Sequence, residues 1–124
     1  MNLKPLEMKA YVPARDLAQS SDFYRRLGFE VEALSDDMAY VRFQSTSFLL
    51  QHFFVEAHAH NFMMHLMVEN VDDWYAHVLA SGVVDQFGVR VDPPQDQPWG
   101  LRDFPLVDPT GALWRVAQPL PASV

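Results

Sequence analysis

The stretch that decides the fold is DLAQSSDFYRRLG, from Asp16 to Gly28. Asp16 is a favourable N-cap residue, and Gln19 three positions later completes a capping-box pattern. Gly28 is the residue type that ends a helix in the left-handed conformation. A second stretch, NVDDWYAHVLASG from Asn70 to Gly82, repeats this layout with the same spacing of cap and glycine. Two helices of equal length are predicted, and they indicate an internal repeat.

Strand patterns flank both predicted helices and extend the repeat. One apolar stretch precedes each helix, and three extended stretches follow it. The predicted strands are 8–12, 29–32, 38–43 and 48–53 in the first half, and 62–68, a weak one at Val83 and Val84, 104–107 and 112–117 in the second. We therefore predict an α+β fold of two βαβββ modules, at about 6–54 and 62–118 of a single domain spanning 1–124. The modules are expected to form a curved mixed sheet with a ligand cleft, with the helices on the outer face.

Composition excludes several classes of protein. The chain has 124 residues, 49% of them hydrophobic, which suits one domain with a substantial core. It has no cysteine, so disulfide scaffolds, thiolate metal sites and cysteine nucleophiles are excluded. The formal net charge of −7 and the lack of basic clusters argue against nucleic acid as a partner. With no signal-peptide pattern and no long apolar run, we expect a cytoplasmic protein without membrane contact.

Residues at the helix starts and turns resemble those of a known superfamily. They are Asp16-Leu17, Ser21-Asp22-Phe23-Tyr24 and Leu27-Gly28-Phe29 in the first module, and Pro98-Trp99-Gly100 and Asp108-Pro109-Thr110-Gly111 in the second. The pattern is similar to that of the vicinal oxygen chelate superfamily, which includes glyoxalase I, extradiol dioxygenases, fosfomycin resistance enzymes and metal-free bleomycin resistance proteins. Because these residues serve capping, packing and turns, they indicate a fold and not a reaction.

The resemblance implies four metal-ligand positions, on the first and last strand of each module. They are occupied here by Lys9, Gln51, Met63 and Arg115. Two cations and a thioether do not suit a divalent metal that needs oxygen or imidazole donors. A register shifted by one residue would bring in His52 and His65, but it would turn core residues outward. We therefore expect neither a metal nor a cofactor.

Several polar residues allow two interpretations. The histidines of segment 52–60 could chelate a metal, but a solvated linker between modules is the favoured interpretation. For His65, a structural hydrogen bond and a ligand contact are equally open. Lys9 and Arg115 need partners if they are buried. Glu7, Asp103, Glu69 or an anionic ligand are the candidates, and we favour structural ion pairs.

Strand parity predicts the walls of the cleft. Met63, His65 and Met67 share one face of their strand and should line the cleft. The proline-rich loop 93–100 would hold Trp99 over its mouth, although Trp99 could instead plug the end of the sheet. Trp74 and Trp114 are assigned to packing, and no catalytic residue is predicted. The predicted ligand-binding residues are Tyr11, Gln51, Phe53, Met63, His65, Met67, Trp99, Arg115 and Lys9.

The favoured function is metal-independent binding of a small, partly aromatic molecule, most similar to that of the bleomycin-resistance-type members. Such a protein would act by stoichiometric capture and not by chemistry. The resemblance also implies a homodimer with clefts at a two-fold interface. One alternative is a metal-dependent lyase, isomerase or dioxygenase whose ligands are unidentified. Another is a binding module whose physiological ligand is unrelated to antibiotics.

Overall fold

The structure is a computed structural model that describes residues 1–121. In this part of the chain the first half forms β1 (Tyr11–Ala14), α1 (Leu17–Arg26), β2 (Glu30–Ser35), β3 (Met38–Phe43) and β4 (Thr46–His52). The second half forms α2 (Glu56–Ala59), β5 (Met63–Met67), α3 (Val71–Ser81), α4 (Val83–Phe87), β6 (Gln95–Asp96), β7 (Leu101–Val107) and β8 (Leu113–Pro119). The α+β class is confirmed.

The strands form two four-stranded mixed sheets and not one continuous sheet. Their orders are β1-β4-β3-β2 and β5-β8-β7-β6, so the same arrangement occurs twice. In each sheet the first strand runs parallel to the last, and the remaining neighbours are antiparallel. The predicted repeat of strand, helix and three strands is therefore present in both halves.

The two predicted helix caps are formed as the sequence indicates. The Asp16 side chain accepts a hydrogen bond from the backbone N–H of Gln19, and the Asn70 side chain accepts one from that of Asp73, both at 3.0 Å. Each bond satisfies one of the N–H groups that a helix leaves free at its start. Gly82 follows α3 with a φ of 79°, the left-handed conformation that its residue type favours.

The predicted strand at Val83 and Val84 is wrong, because this segment continues as the short helix α4. Phe87 follows Val83 by four residues and Val84 by three, the spacings that make side chains neighbours on a helix surface. Val83 is fully buried, and Phe87 packs edge-on against Phe23 with ring centroids 5.5 Å apart. The counterpart of β2 is instead the two-residue strand β6, which lies inside the proline-rich loop 93–100.

Two shorter segments also differ from expectation. The first strand begins at Tyr11, and residues 1–8 are exposed. The linker after His52 contains the one-turn helix α2, which the histidine-rich pattern did not predict. No helix within residues 1–121 is both long and apolar enough to cross a membrane.

A single core joins the two halves. Phe48 of β4 and Trp114 of β8 pack with ring centroids 5.3 Å apart, so one face of each sheet is turned toward the other. The helices contribute Phe23, Tyr24 and Val78 to the same core. The packing role predicted for Trp114 is confirmed, since its side chain is almost completely buried. The opposite face of each sheet, called its outer face below, lies outside the core, and α1 and α3 pack on the core side of the sheets.

Candidate functional site

The outer face of the second sheet carries most of the predicted ligand-binding residues. Along β5, Met63, His65 and Met67 are exposed, whereas Met64 and Leu66 pack against the core, as strand parity predicts. The parallel pairing places His65 beside Arg115 of β8, and Pro105 of β7 lies on the other side of Arg115. His65, Arg115 and Pro105 therefore form one row across this face.

Arg115 has a structural partner on the same face. Its guanidinium lies 3.5 Å from a carboxylate oxygen of Asp103, whose side chain is only 3% exposed. The Nε2 group of Gln97 also donates to Asp103, at 3.1 Å. Arg115 and Asp103 line a pocket of about 400 Å³ together with Arg90 and Asp92, which form a second ion pair. Opposite charges are thus balanced within this pocket.

The outer face of the first sheet carries the other predicted residues. Tyr11 is exposed on β1, and Phe53, also exposed, follows β4. Gln51 is partly exposed and pairs with Pro13 and Met38. Lys9 forms an ion pair with Glu7, and its Nζ lies 5.2 Å from the centroid of the Tyr40 ring. Lys9 and Arg115 therefore each have an ion-pair partner, Glu7 and Asp103, and their predicted contact with a ligand stays a prediction.

Within one chain the predicted residues do not enclose a single cleft. The core-facing sides of the two sheets contact each other, so their outer faces point away from one another. Lys9, Tyr11, Gln51 and Phe53 consequently lie on one surface. Met63, His65, Met67, Trp99 and Arg115 belong to the other half. The predicted site residues are therefore divided between two separate surfaces of the chain.

Trp99 lies at the tip of the hairpin between β6 and β7. The backbone N–H of Gln97 donates to the carbonyl of Leu101 at 2.7 Å, and that of Gly100 donates to the carbonyl of Gln97 at 3.2 Å. These bonds close the turn, and the Trp99 side chain remains 62% exposed. The alternative that Trp99 plugs the end of the sheet is therefore wrong for the isolated chain.

The residues at the superfamily's metal positions do not fit a metal. In the second sheet Arg115 is paired with His65, which lies five residues before the helix cap Asn70. In the first half Tyr11 lies five residues before the helix cap Asp16, so it is the counterpart of His65. Tyr11 pairs with Leu49, so Leu49 and not Gln51 is the structural counterpart of Arg115. Neither leucine nor arginine is a metal donor, and a thioether is a poor one for hard divalent ions. Within residues 1–121 no three His, Asp or Glu side chains are grouped as a metal site.

The histidines of segment 52–60 have different neighbours and do not form one cluster. His52 lies 3.6 Å from a carboxylate oxygen of Asp37, and His60 rests on the turn at Gly111. The His58 ring lies near that of Phe53, with centroids 6.4 Å apart. These different neighbours agree with the favoured interpretation of the segment as a linker.

A buried polar network between the halves was not predicted from the sequence. The Tyr24 hydroxyl of α1 donates to Asp108 at 2.7 Å, and the Trp114 Nε1–H donates to the same hydroxyl at 2.8 Å. The other Asp108 oxygen accepts three backbone N–H bonds from residues 110–112. The sequence identified Asp108 as a turn residue and Trp114 as core, but an 84-residue separation left no local signal for the bond to Tyr24.

Burial changes the acid–base behaviour of this network. The pKa of Tyr24 is raised well above its usual value, first by burial and then by the nearby Asp108 charge. Burial also raises the pKa of Asp108, although the hydrogen bonds from Tyr24 and the turn N–H groups oppose that shift. The network is enclosed in the core, so its role is to hold the modules together and not to contact a ligand.

Comparisons with known proteins agree with this architecture. A family model described as the Glyoxalase/Bleomycin resistance protein/Dioxygenase superfamily matches residues 8–116. A bleomycin resistance protein from Klebsiella pneumoniae is 28% identical over 112 residues, covering 86% of this chain and 87% of the relative. A bleomycin-binding protein in complex with bleomycin superposes with a TM-score of 0.80 at 23% identity, covering 92% of this chain and 98% of the other. An antibiotic-binding protein from Streptomyces sp. CB03234 superposes with a TM-score of 0.73 at 24% identity, over 96% and 99% of the two chains.

Proposed function

Because this chain belongs to the glyoxalase/bleomycin resistance protein/dioxygenase superfamily, we propose that it is a metal-independent binding protein for a small, partly aromatic molecule. It would act by capturing that molecule stoichiometrically. Proteins described as binding bleomycin or another antibiotic are among its structural relatives. These similarities favour small-molecule binding over the other activities found in the superfamily.

The exposed apolar side chains on the two outer faces carry this proposal. Tyr11 and Phe53 on the first face, and Met63, Met67 and Trp99 on the second, are each between 45% and 62% exposed. Large apolar side chains grouped on a protein surface mark sites where a ligand or a partner covers them. The flat rings of Tyr11, Phe53 and Trp99 suit stacking on a planar ligand group. Met63 and Met67 supply flexible surface that adapts to its shape.

Polar groups on the second face would orient the ligand. His65 lies beside Arg115, which is partly exposed and held by Asp103. A pocket that combines an apolar wall with a few fixed polar groups is the usual composition of a small-molecule site. Gln51 would have the corresponding role on the first face.

A second copy of the chain is proposed to complete the site. Each outer face is only half of a cleft, and pairing the first face of one copy with the second face of another would enclose a ligand between them. The exposed N-terminal residues Leu3, Leu6 and Met8 add apolar surface for such an interface. Sedimentation is expected to give a dimer at micromolar concentration. A stable monomer that still binds ligand would contradict the shared cleft.

The direct test of the function is a titration with bleomycin, followed by calorimetry. We expect saturable binding, and replacement of Trp99 by alanine should weaken it by about tenfold, because stacking is worth about 1 kcal/mol beyond area burial. Leu79→Ala, on the exposed side of α3, is the matched control and should bind as the original chain does. Unchanged affinity in Trp99→Ala would remove Trp99 from the site.

Metal independence has a separate test. Chelator-treated protein is titrated with Ni, Zn, Mn and, anaerobically, Fe(II). We expect no site tighter than about micromolar, because the four superfamily positions lack suitable donors. A tight site with one metal per chain would contradict this part of the proposal and favour a metal-dependent enzyme.

A further inference from the structure

A separate pocket lies at the seam between the two halves of the chain. It has a volume of about 460 Å³ and opens between the β3–β4 turn and the start of α3. That volume is in the range of small-molecule sites. Met67 alone, among its lining residues, also belongs to the ligand-binding residues predicted above. The seam pocket is therefore distinct from the proposed ligand site.

The inner wall of the seam pocket is aromatic. Phe43 and Trp74 both line it, and their ring centroids lie 5.0 Å apart at an interplanar angle of 59°. Both rings also pack against the core, which fixes their orientation. A cation that enters the pocket therefore meets two aromatic side chains, and aromatic rings attract cations within about 6 Å.

The charged groups of the pocket are all of one sign. Glu69 and Asp73 line it, and its other residues are neutral. Neighbouring Asp72 is different, because Arg102 neutralises it through a 2.9 Å ion pair. Within residues 1–121 no Lys, Arg or His side chain lies within 4 Å of the Glu69 or Asp73 carboxylate.

The backbone N–H groups at the start of α3 bond to side chains other than Glu69 and Asp73. The N–H of Asp73 donates to the Asn70 side chain at 3.0 Å, and the N–H of Val71 donates to the Gln118 side chain at 2.9 Å. Two N–H groups at the start of the helix therefore bond to neutral side-chain amides and not to Glu69 or Asp73. The two negative charges remain available to a ligand.

We propose that the seam pocket binds a small organic ammonium cation. The rings of Trp74 and Phe43 would contact its alkyl groups and its positive charge, and Glu69 and Asp73 would supply the countercharge. The hydroxyl group of Ser45, which also lines the pocket, would bond to polar substituents, and that of Thr46, which donates to the Phe43 carbonyl at 2.8 Å, would accept from them. The net charge of −7 favours the approach of a cation.

The test uses choline and its neutral carbon isostere, dimethylbutanol, as probes. The chain has three tryptophans, whose indole N–H signals are resolved by NMR and assigned with single Trp→Phe variants. We expect choline to shift the Trp74 signal saturably and to leave the Trp114 and Trp99 signals in place. Dimethylbutanol should shift it much less, because it has the same shape without the charge.

Variants identify the groups responsible. The double variant Glu69→Gln/Asp73→Asn should weaken choline binding about tenfold, because both countercharges are removed. Asp72→Asn is the matched control and should bind choline as the original chain does. No saturable Trp74 shift, an equal shift with the isostere, or an unchanged affinity in the double variant would each overturn the proposal.

The choline experiment tests the seam pocket independently of the proposed bleomycin-type binding on the outer faces. Trp99→Ala should leave the Trp74 response to choline unchanged, even where it weakens bleomycin binding. A protein that binds no bleomycin but retains the Trp74 response would still have the seam site. A choline shift at Trp99 in place of Trp74 would put the cation on the outer face and overturn the assignment to the seam.

Discussion

The hydroxyl of Tyr24 donates a 2.7 Å hydrogen bond to Asp108, and this bond joins α1 in the first half of the chain to the β7–β8 turn in the second. The same hydroxyl accepts from the Trp114 indole. Thr110, two residues after Asp108, accepts from the backbone N–H of Arg15 at 3.2 Å and contacts the Ser20 hydroxyl at 3.3 Å. The two halves are therefore held together by specific polar contacts as well as by the core.

Replacing Tyr24 with phenylalanine is expected to lower the free energy of unfolding by about 2–4 kcal/mol. The substitution leaves the ring in place but removes the donor to Asp108 and the acceptor of the Trp114 N–H. Both of these groups are buried and would lose a partner. Chemical denaturation followed by tryptophan fluorescence measures the change.

Tyr11→Phe is the matched control for this substitution. The Tyr11 side chain is 55% exposed, so loss of its hydroxyl should change stability by less than about 0.5 kcal/mol. Equal effects of the two substitutions would mean that the Tyr24 network contributes nothing specific.

The pH dependence of stability should also change when Tyr24 is replaced. Its pKa is raised above the usual value of 10.0 in the folded chain. Above that pH the unfolded state loses the phenolic proton while the folded state keeps it. Stability therefore falls as pH rises, by up to about 1.4 kcal/mol per pH unit from this group.

Unfolding measured between about pH 8 and 11 checks this expectation. The original chain should lose stability more steeply in the alkaline part of that range than Tyr24→Phe does. Other tyrosines and lysines titrate in both proteins, so the difference between them isolates Tyr24. Parallel curves would show that Tyr24 ionises normally in the folded chain.

Local chemistry made the helices and turns predictable. Asp16 and Asn70 cap their helices, because a short polar side chain there satisfies N–H groups within three residues. The strand predicted at Val83 is wrong because tertiary packing outweighs the local preference. Two adjacent valines favour a strand locally, but packing of Phe87 on Phe23 stabilises a further helical turn.

The two faces of the candidate site were partly predictable. Alternation along β5 placed Met63, His65 and Met67 together, since parity depends on the sequence alone. The counterpart of Arg115 was placed two residues too far along the chain, because strand register depends on pairing. The seam pocket carried no sequence signal, since Phe43 and Trp74 meet only through tertiary packing.

Gly111→Ala is expected to destabilise the fold by more than its backbone conformation alone requires. Its φ is 107°, and an added Cβ would lie 2.6 Å from Cδ2 of the His60 ring. We expect a loss of about 2–4 kcal/mol, in which strain and the displaced ring both contribute. Thermal unfolding measures the effect.

Gly82→Ala measures the cost of backbone strain at a positive φ without a clash with a neighbouring ring. Gly82 also has a positive φ, of 79°, but no atom lies within 4 Å of an added Cβ. It should therefore cost only about 1–2 kcal/mol. Adding His60→Ala to Gly111→Ala should recover the excess. No recovery would mean that the backbone conformation at Gly111, and not the histidine ring, accounts for the loss.

Arg115→Met distinguishes a structural ion pair from a ligand contact. Asp103 is almost fully buried and would keep only the Gln97 amide as a side-chain donor. An uncompensated carboxylate of this kind should cost about 1–3 kcal/mol, an amount reduced because Arg115 itself is partly exposed. The double variant Arg115→Met/Asp103→Asn should recover most of that stability, as a double-mutant cycle would show.

Arg102→Met is the control, because this arginine pairs with Asp72 and Asp96 at the surface. Its loss should lower stability much less than the loss of Arg115 does. If Arg115→Met left stability unchanged but weakened bleomycin binding, the guanidinium would act on the ligand and not on Asp103. A loss of stability that Asp103→Asn relieves would instead make the pair a structural element of the second face, with His65 as the polar group left to orient the ligand.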